Sequence, residues 1–193
     1  MLNLIPILEL PVLIIMVLIR SIILRRHGIK AFVFGATNKT DFFLIPAILF
    51  FFYGILSTFI NLPFPNVLIN LFWRNDIITV CAIVICSLSL VWFGVTLKIF
   101  GRSFRVGIDE KTNDKLITTG TFSISRNPIY LAFIVFFTGI FAAFPNIISS
   151  VFLALFAIVI HRQILREEKF LKSHYGGEYD EYCNLTPRYL FVK

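Results

Sequence analysis

The chain has 193 residues, of which 58% are hydrophobic, with a formal net charge of +7 and a mean hydropathy of +0.85. Soluble domains average about 45–50% apolar residues, so this composition excludes a soluble globular protein and predicts an all-α integral membrane protein. The basic residues flank apolar segments and alternate with Asp and Glu. We therefore attribute the charge to anchoring at the lipid bilayer rather than to binding of nucleic acid.

Five apolar segments reach or approach the roughly 17–25 residues that a membrane helix needs. Three of them make up residues 1–100 as N-terminal spans, over 4–24, 42–60 and 77–100. The last two, 129–144 and 147–160, are shorter, and Pro145-Asn146 between them predicts a tight helical hairpin. We expect no cleaved signal peptide, because the N-terminus lacks a basic region and no small-residue cleavage site follows the first apolar run.

Basic residues indicate how these spans are oriented. Three polar stretches hold 16 of the 18 Lys and Arg residues, namely 25–41, 98–126 and 162–193. The opposite side has only Arg74, and Arg20 lies within the first span. By the positive-inside rule, the N-terminus is expected outside and the C-terminus in the cytoplasm. Residues 101–193 then form a second region, in which a loop, the hairpin and a cytoplasmic helical tail carry the chemistry.

The first of two polar motifs that bracket the hairpin covers residues 116–130. Gly120 permits either a turn or the close approach of a ligand to the backbone. The guanidinium of Arg126, directly before Asn127 and the first hairpin helix, could hold a carboxylate or a phosphate bidentately. Alternatively, Arg126 only extends to lipid phosphates at the membrane surface. The residue pattern leaves both interpretations open.

The second motif follows the hairpin and contains the adjacent carboxylates Glu167 and Glu168. If the last span continues as a helix past residue 160, Gln163 and Glu167 share a face at i, i+4 spacing. The antiparallel return of the hairpin then brings the carboxylates near Arg126. A structural ion pair and a grip on the cationic or hydroxyl groups of a cofactor both fit this arrangement. Glycines after residue 175 predict that the helix stops and restarts there.

In their order along the chain, these residues resemble the isoprenylcysteine carboxyl methyltransferase family, which is related to the phospholipid N-methyltransferases. The shared order is G-x-[YF]-x-x-x-R-[HN]-P-x-Y, an apolar hairpin, E-E-x-x-L, G-x-x-Y-x-x-Y and a late P-R. It covers about half of the chain, residues 101–190. The matching residues are Gly120, Phe122, Arg126, Asn127, Pro128, Tyr130, Glu167, Glu168, Leu171, Gly176, Tyr179, Tyr182, Pro187 and Arg188.

The resemblance implies methyl transfer from S-adenosylmethionine to a lipidic or prenylated acceptor, in a pocket closed by the C-terminal segment. The acceptor would enter from the bilayer between helices, with Arg162 or Gln163 near its polar end. Arg126 and Glu168 are the catalytic candidates, and no metal is implied. The implied cofactor contacts are Lys115, Leu116, Ile117, Phe122, Asn127, Pro128, Tyr130 and Glu167.

Two positions depart from the eukaryotic members of that family, which have His in place of Asn127 and Tyr in place of Phe122. The departures leave two kinds of acceptor open. A carboxylate, with a pKa near 4, is already ionised at neutral pH and needs no base. An amine, as in a phospholipid N-methyltransferase, must lose a proton, and Glu168 would then be the candidate base.

Other classes of protein account for the sequence less well. Sterol reductases that use NADPH share the hinge pattern with changes but resemble longer chains with more spans. A histidine-box di-iron enzyme is excluded because His27, His161 and His174 are scattered. A Rossmann-type methyltransferase is excluded because no glycine-rich strand-to-helix turn occurs. A non-enzymatic membrane scaffold stays open and predicts no binding of S-adenosylmethionine, and oligomeric state cannot be read from the pattern.

Overall fold

A computed structural model describes residues 4–26, 44–60, 62–101 and 116–191. The regular secondary structure of the described residues is entirely helical, without a β-strand, which confirms the all-α class. A 3-10 turn, Gly120–Ser123, precedes the hairpin. The α-helices are α1 (Leu4–Arg26), α2 (Leu44–Ile60), α3 (Asn66–Ile69), α4 (Asp76–Phe100), α5 (Pro128–Ala143), α6 (Ile147–Tyr175) and α7 (Gly177–Leu185).

Helices occupy all five predicted apolar segments. Among the described residues, α1, α4 and α6 are long and apolar enough to cross a membrane, while α2 and α5 have 17 and 16 residues. The apolar part of α6 ends at Ile160 as predicted, but the helix continues to Tyr175. It continues because residues 161–175 contain no glycine or proline and are rich in good helix formers. The protein is therefore a bundle of apolar helices with a polar helical extension.

Small residues let α4 and α5 pack closely. A Cβ atom added at Gly139 of α5 would lie 2.5 Å from the Sγ of Cys86 and 3.2 Å from the backbone oxygen of Ala82 on α4. Close backbone approach through small residues is the usual way in which helices associate in a membrane. Three side chains of α4 also donate hydrogen bonds to carbonyl groups of α5: Cys86 to Phe136 (3.4 Å), Ser89 to Ala132 (2.6 Å) and Trp92 to Pro128 (3.0 Å).

The predicted hairpin turn is confirmed at Asn146. Its side chain accepts a hydrogen bond from the backbone N–H of Ser149 at 2.9 Å, while the Ser149 hydroxyl accepts one from the Asn146 N–H at 3.2 Å. This reciprocal capping box starts α6 directly after α5. Because the two helices are antiparallel, residues equally far from the turn meet. The start of α5 therefore lies beside the polar extension of α6.

Aromatic side chains join α2 to this hairpin. The ring of Phe51 on α2 stacks on Phe152 of α6 with centroids 4.0 Å apart and meets Phe137 of α5 edge-on at 5.9 Å. Such pairs add to the area that the rings bury. They fix α2 against the membrane half of α6, away from the polar end.

Candidate active site

Gly120 turns the hinge that leads into α5. Its φ of +63° lies in the left-handed region, which favours glycine. A Cβ atom here would lie 2.5 Å from the Cδ1 of Ile99 on α4. Of the two roles that the sequence left open, the structure thus shows a tight turn packed against α4. Phe122, two residues on, is buried and packs on Phe100 with ring centroids 5.0 Å apart.

The C-terminal segment, defined here as residues 177–191, holds this hinge in place. The backbone N–H of Arg126 donates to the carbonyl of Pro187 at 2.9 Å, and the hydroxyl of Ser125 donates to the backbone carbonyl of Arg188 at 3.0 Å. From α7, the hydroxyl of Tyr182 donates to the carbonyl of Phe122 at 2.6 Å. The hinge and the C-terminal segment are therefore one hydrogen-bonded unit.

Glu168 is the centre of that unit. Its Oε1 accepts from Arg126 Nε at 3.3 Å and from Asn127 Nδ2 at 3.1 Å, while Oε2 accepts from Arg188 Nε and Nη2 at 2.9 and 2.7 Å. Only 9% of Glu168 is exposed, and a buried carboxylate must be paired in this way to be tolerated. The hydrogen bonds between Arg188 and Glu168, together with the charge of Glu168, raise the pKa of the Arg188 guanidinium above its ordinary value. The carboxylate joins α5, α6 and the C-terminal segment.

The expected approach of Arg126 to the carboxylates of α6 is confirmed for Glu168 alone. The side chain of Arg126 hydrogen-bonds Glu168 and, through Nη1, the carbonyls of Cys183 and Thr186 at 3.0 Å each. Arg126 and Glu167, both among the described residues, form no hydrogen bond or ion pair with each other. Adjacent residues of a helix point about 100° apart, because 3.6 residues complete a turn, so a single arginine does not meet both.

Glu167 has different surroundings. Its Oε1 accepts hydrogen bonds from the hydroxyl of Tyr130 at 2.5 Å and from Gln163 Nε2 at 2.9 Å. The predicted i, i+4 contact of Gln163 with Glu167 is thus confirmed. Within the part of the chain that the structure describes, no Lys or Arg forms an ion pair with this carboxylate. Glu167 is half-buried, and both of its hydrogen bonds within the described chain end on Oε1, none on the second oxygen.

The remaining predicted site residues lie along the hinge and on α6. Asn127 and Pro128 are buried at the start of α5, and Leu116 and Ile117 are half-buried before the turn. Arg162 is exposed on α6. Lys115 lies outside the described residues. The structure thus brings Asn127, Tyr130, Gln163, Glu167 and Glu168 together at one end of the hairpin.

Sequence reasoning overlooked several polar residues. Arg188 and Tyr182 were recognised only as parts of a motif, although Arg188 is the bidentate partner of Glu168. Glu9 was missed entirely: it is 8% exposed in α1 and accepts a hydrogen bond from Ser87 at 2.5 Å. Its signal was available, because an ionisable residue inside an apolar span is unusual enough to examine on that ground alone.

The fold and site together define an integral membrane protein whose polar site is built from both ends of a helical hairpin. A family model, described as phospholipid methyltransferase, matches residues 75–178, from just before α4 to just after α6. The chain belongs to the phospholipid methyltransferase family, with isoprenylcysteine O-methyltransferases among its relatives. This family membership confirms the resemblance in the sequence.

Individual relatives cover the same region. The chain is 34% identical to protein-S-isoprenylcysteine O-methyltransferase B of Arabidopsis thaliana, over 45% of this chain and 46% of the relative. It is 30% identical to the nickel-cobalt-cadmium resistance protein NccN of Alcaligenes xylosoxydans xylosoxydans, over 53% of this chain and 48% of the relative. The chain thus spans about half the length of the curated relatives that it matches. No solved structure matches it significantly.

Proposed function

We propose that this protein transfers a methyl group from S-adenosylmethionine to a membrane-borne acceptor, and that the acceptor group is a carboxylate of the isoprenylcysteine type. The observation that carries the proposal is the half-buried carboxylate of Glu167, which is oriented by Tyr130 and Gln163 and has no ion-pair partner among the described residues. This carboxylate lies where the family motif meets the return of the hairpin. Its second oxygen, to which no described residue donates a hydrogen bond, would be the acceptor for a ligand.

The residues present fit S-adenosylmethionine by their chemistry. The carboxylate of Glu167 suits hydroxyl or ammonium groups, and half-buried Leu116 and Ile117 offer apolar surface to a base ring. The hydroxyl of Thr121 is buried and has no hydrogen-bond partner in the described part of the chain, so it is available to a ligand. When bound, the cofactor supplies a methyl group on a positively charged sulfur.

The chain's own residues then act by binding and orienting. Glu167 would bind the cofactor, and Tyr130 and Gln163 would keep its carboxylate in one direction. Arg126 and Glu168, the catalytic candidates, would act by holding Asn127 and the C-terminal segment over the site. Alignment of two reacting groups accounts for about 7–11 kcal/mol in well-oriented intramolecular reactions, and this contribution needs no general base.

The contacts of Glu168 favour a carboxylate acceptor over an amine. A base for an amine acceptor needs an oxygen that can take a proton, but both oxygens of Glu168 accept hydrogen bonds from arginine side chains. A carboxylate acceptor needs no such base. Phospholipid N-methylation is the alternative acceptor chemistry, since the family model carries that description.

We further propose that the site faces the cytoplasm, with the N-terminus outside. The exposed cations Arg162 and Lys169 on the polar extension of α6 agree with the positive-inside rule. A cytoplasmic site would give a water-soluble methyl donor direct access, while the acceptor enters from the bilayer, with Gln163 or Arg162 near its polar end.

Calorimetry with S-adenosylhomocysteine on the detergent-purified protein tests cofactor binding. We expect the substitution Glu167→Gln to weaken binding about tenfold or more, because a charge-assisted hydrogen bond contributes about 1.5–3 kcal/mol. Arg162→Gln, which alters an exposed residue on the same helix, should bind like the parent. No heat with the parent at sub-millimolar ligand would refute the methyltransferase, and parental affinity in Glu167→Gln would refute the role of Glu167. Mass spectrometry of membrane extracts incubated with a labelled methyl donor then identifies the acceptor.

A further inference from the structure

An apolar groove of about 390 Å³ runs along the membrane half of α6, where α2 and α3 leave its face uncovered. Its lining is wholly apolar: Ala47, Phe50 and Phe51 come from α2, Leu68 comes from α3, and residues of α6 between Ile147 and Val159 complete it. The volume is within the range of about 300–1,000 Å³ typical of ligand sites. On α6, the polar residues of the methyl-transfer site begin only after Val159. The methyl-transfer site therefore does not account for the groove.

Cationic side chains follow the groove on the same face of α6. Leu155 and Val159 line the groove, and Arg162 lies seven residues after Leu155 and three after Val159, so that all three share one side of the helix. Arg166 and Lys169 continue this line at i+4 and i+7 from Arg162. Arg162 and Lys169 are exposed, and no described carboxylate forms an ion pair with either.

The length of the groove suits one acyl chain of a phospholipid. From Ile148 to Val159 the helix rises about 16 Å, at 1.5 Å per residue. Half of the hydrocarbon core of a bilayer is about 15 Å thick. A chain that fills the groove would therefore end in a headgroup at the level of Arg162, where the apolar lining stops and the cations begin.

We propose that this groove binds one chain of an anionic phospholipid, with the lipid phosphate held by Arg162 and Lys169. The charge at the mouth selects an anionic headgroup, since each basic residue near a membrane surface adds attraction for anionic lipid. The site is separate from the proposed methyl-donor contacts, because Glu167 accepts a hydrogen bond from Tyr130 on α5, whereas Arg162 is exposed. Gln163, which already contacts Glu167, is then the residue left to receive the methyl acceptor.

Native mass spectrometry of the full chain tests the proposal. The protein is reconstituted into vesicles of equal parts phosphatidylglycerol and phosphatidylcholine, extracted in mild detergent, and its retained lipids are counted. We expect the parent to retain phosphatidylglycerol preferentially. The double variant Arg162→Gln/Lys169→Gln should lower that preference about fivefold for each charge removed, and Ala47→Phe, which fills the groove, should lower retention of both lipids.

Matched controls separate this site from general attraction to lipid. Arg74→Gln removes an exposed charge at the other end of the bundle, and Leu88→Phe enlarges a side chain of α4 that is 64% exposed. Both should retain lipid like the parent. Thermal unfolding followed by circular dichroism shows that each variant is folded.

Three results would overturn the proposal. The first is equal retention of the two lipids by the parent, and the second is a loss in the double variant no larger than that in Arg74→Gln. The third is displacement of phosphatidylglycerol by a soluble farnesylcysteine, which would assign the groove to the methyl acceptor. Binding of S-adenosylhomocysteine is measured on the same samples, so that a failure of the lipid site is distinguishable from a failure of the methyltransferase proposal.

Discussion

Replacing Glu168 by glutamine tests how the site is held together, and Glu167 beside it provides a matched control. Glu168→Gln keeps the shape of the side chain but removes the charge on which Arg126 and Arg188 converge. Breaking a buried ion pair by removing one partner costs about 3–5 kcal/mol. Arg126 keeps two carbonyl acceptors, and the Arg188 side chain is 26% exposed. We therefore expect about 3 kcal/mol, the lower end of that range.

The same exchange at Glu167 should scarcely change stability. The partners of Glu167 are the neutral donors Tyr130 and Gln163, and the amide oxygen of glutamine still accepts from both. The hydrogen bonds weaken when their acceptor loses its charge, but burial raises the pKa of the Glu167 carboxyl above its ordinary value, so the exchange also removes the cost of a buried charge. Two neutral hydrogen bonds of about 0.5–1.5 kcal/mol each remain, and we expect a net loss of no more than about 1 kcal/mol. Glu167→Gln should instead lose affinity for S-adenosylhomocysteine.

Thermal unfolding of the detergent-purified protein measures the difference. For chains of about 150–250 residues, 1 kcal/mol shifts the Tm by about 2–4 °C, so Glu168→Gln should lower the Tm by about 6–12 °C. The double variant Glu168→Gln/Arg188→Gln should lose less than the sum of the single losses, because it removes a cation left without its partner. Equal losses of Tm in Glu167→Gln and Glu168→Gln would refute the inference that Glu168 stabilises the fold while Glu167 binds the ligand.

Two further predictions concern packing and pH. Gly139→Ala should destabilise the protein by about 1–3 kcal/mol, because its Cβ atom would meet Cys86. Gly177→Ala is the control, since nothing lies near its added Cβ atom. Equal Tm values of these two variants would contradict the close α4–α5 contact. Burial raises the pKa of the Tyr179 and Tyr182 phenols, so their stabilisation is complete below the ordinary phenol value of about 10 and is lost as the pH rises above it. The Tm should fall above that pH more steeply in the parent than in Tyr179→Phe, and parallel curves would exclude this titration.

The hairpin could be predicted from the sequence because its signals are local. Pro145-Asn146 marks the turn, Asn146 caps the next helix, and Pro128 suits the first turn of α5. An antiparallel hairpin then requires its two polar ends to meet, so the pairing of Arg126 with a carboxylate of α6 followed from topology. Which of two adjacent glutamates would face it depends on the rotation of α6 about its axis, which packing decides.

The contribution of the C-terminal segment could not be predicted in the same way. The bonds from Arg188 to Glu168 and from Tyr182 to Phe122 join residues that lie 20 and 60 positions apart, and no periodicity specifies them. The family motif named both residues without assigning them partners. The groove along α6 was equally hidden, because the apolar residues that line it do not differ in sequence from those that face lipid.

Asn127 is one of the two positions at which this chain departs from the eukaryotic members of the family, and its contacts explain why asparagine suits it. Its Nδ2 donates to Glu168 Oε1 at 3.1 Å and to the carbonyl of Arg188 at 3.3 Å. One amide nitrogen has two hydrogens and can serve both acceptors, whereas each nitrogen of an imidazole carries at most one. Asparagine at this position therefore helps to attach the C-terminal segment and, as an amide, does not take part in proton transfer. The residues that contact the acceptor are then to be sought around Gln163, which donates a hydrogen bond to Glu167, a carboxylate without an ion-pair partner among the described residues.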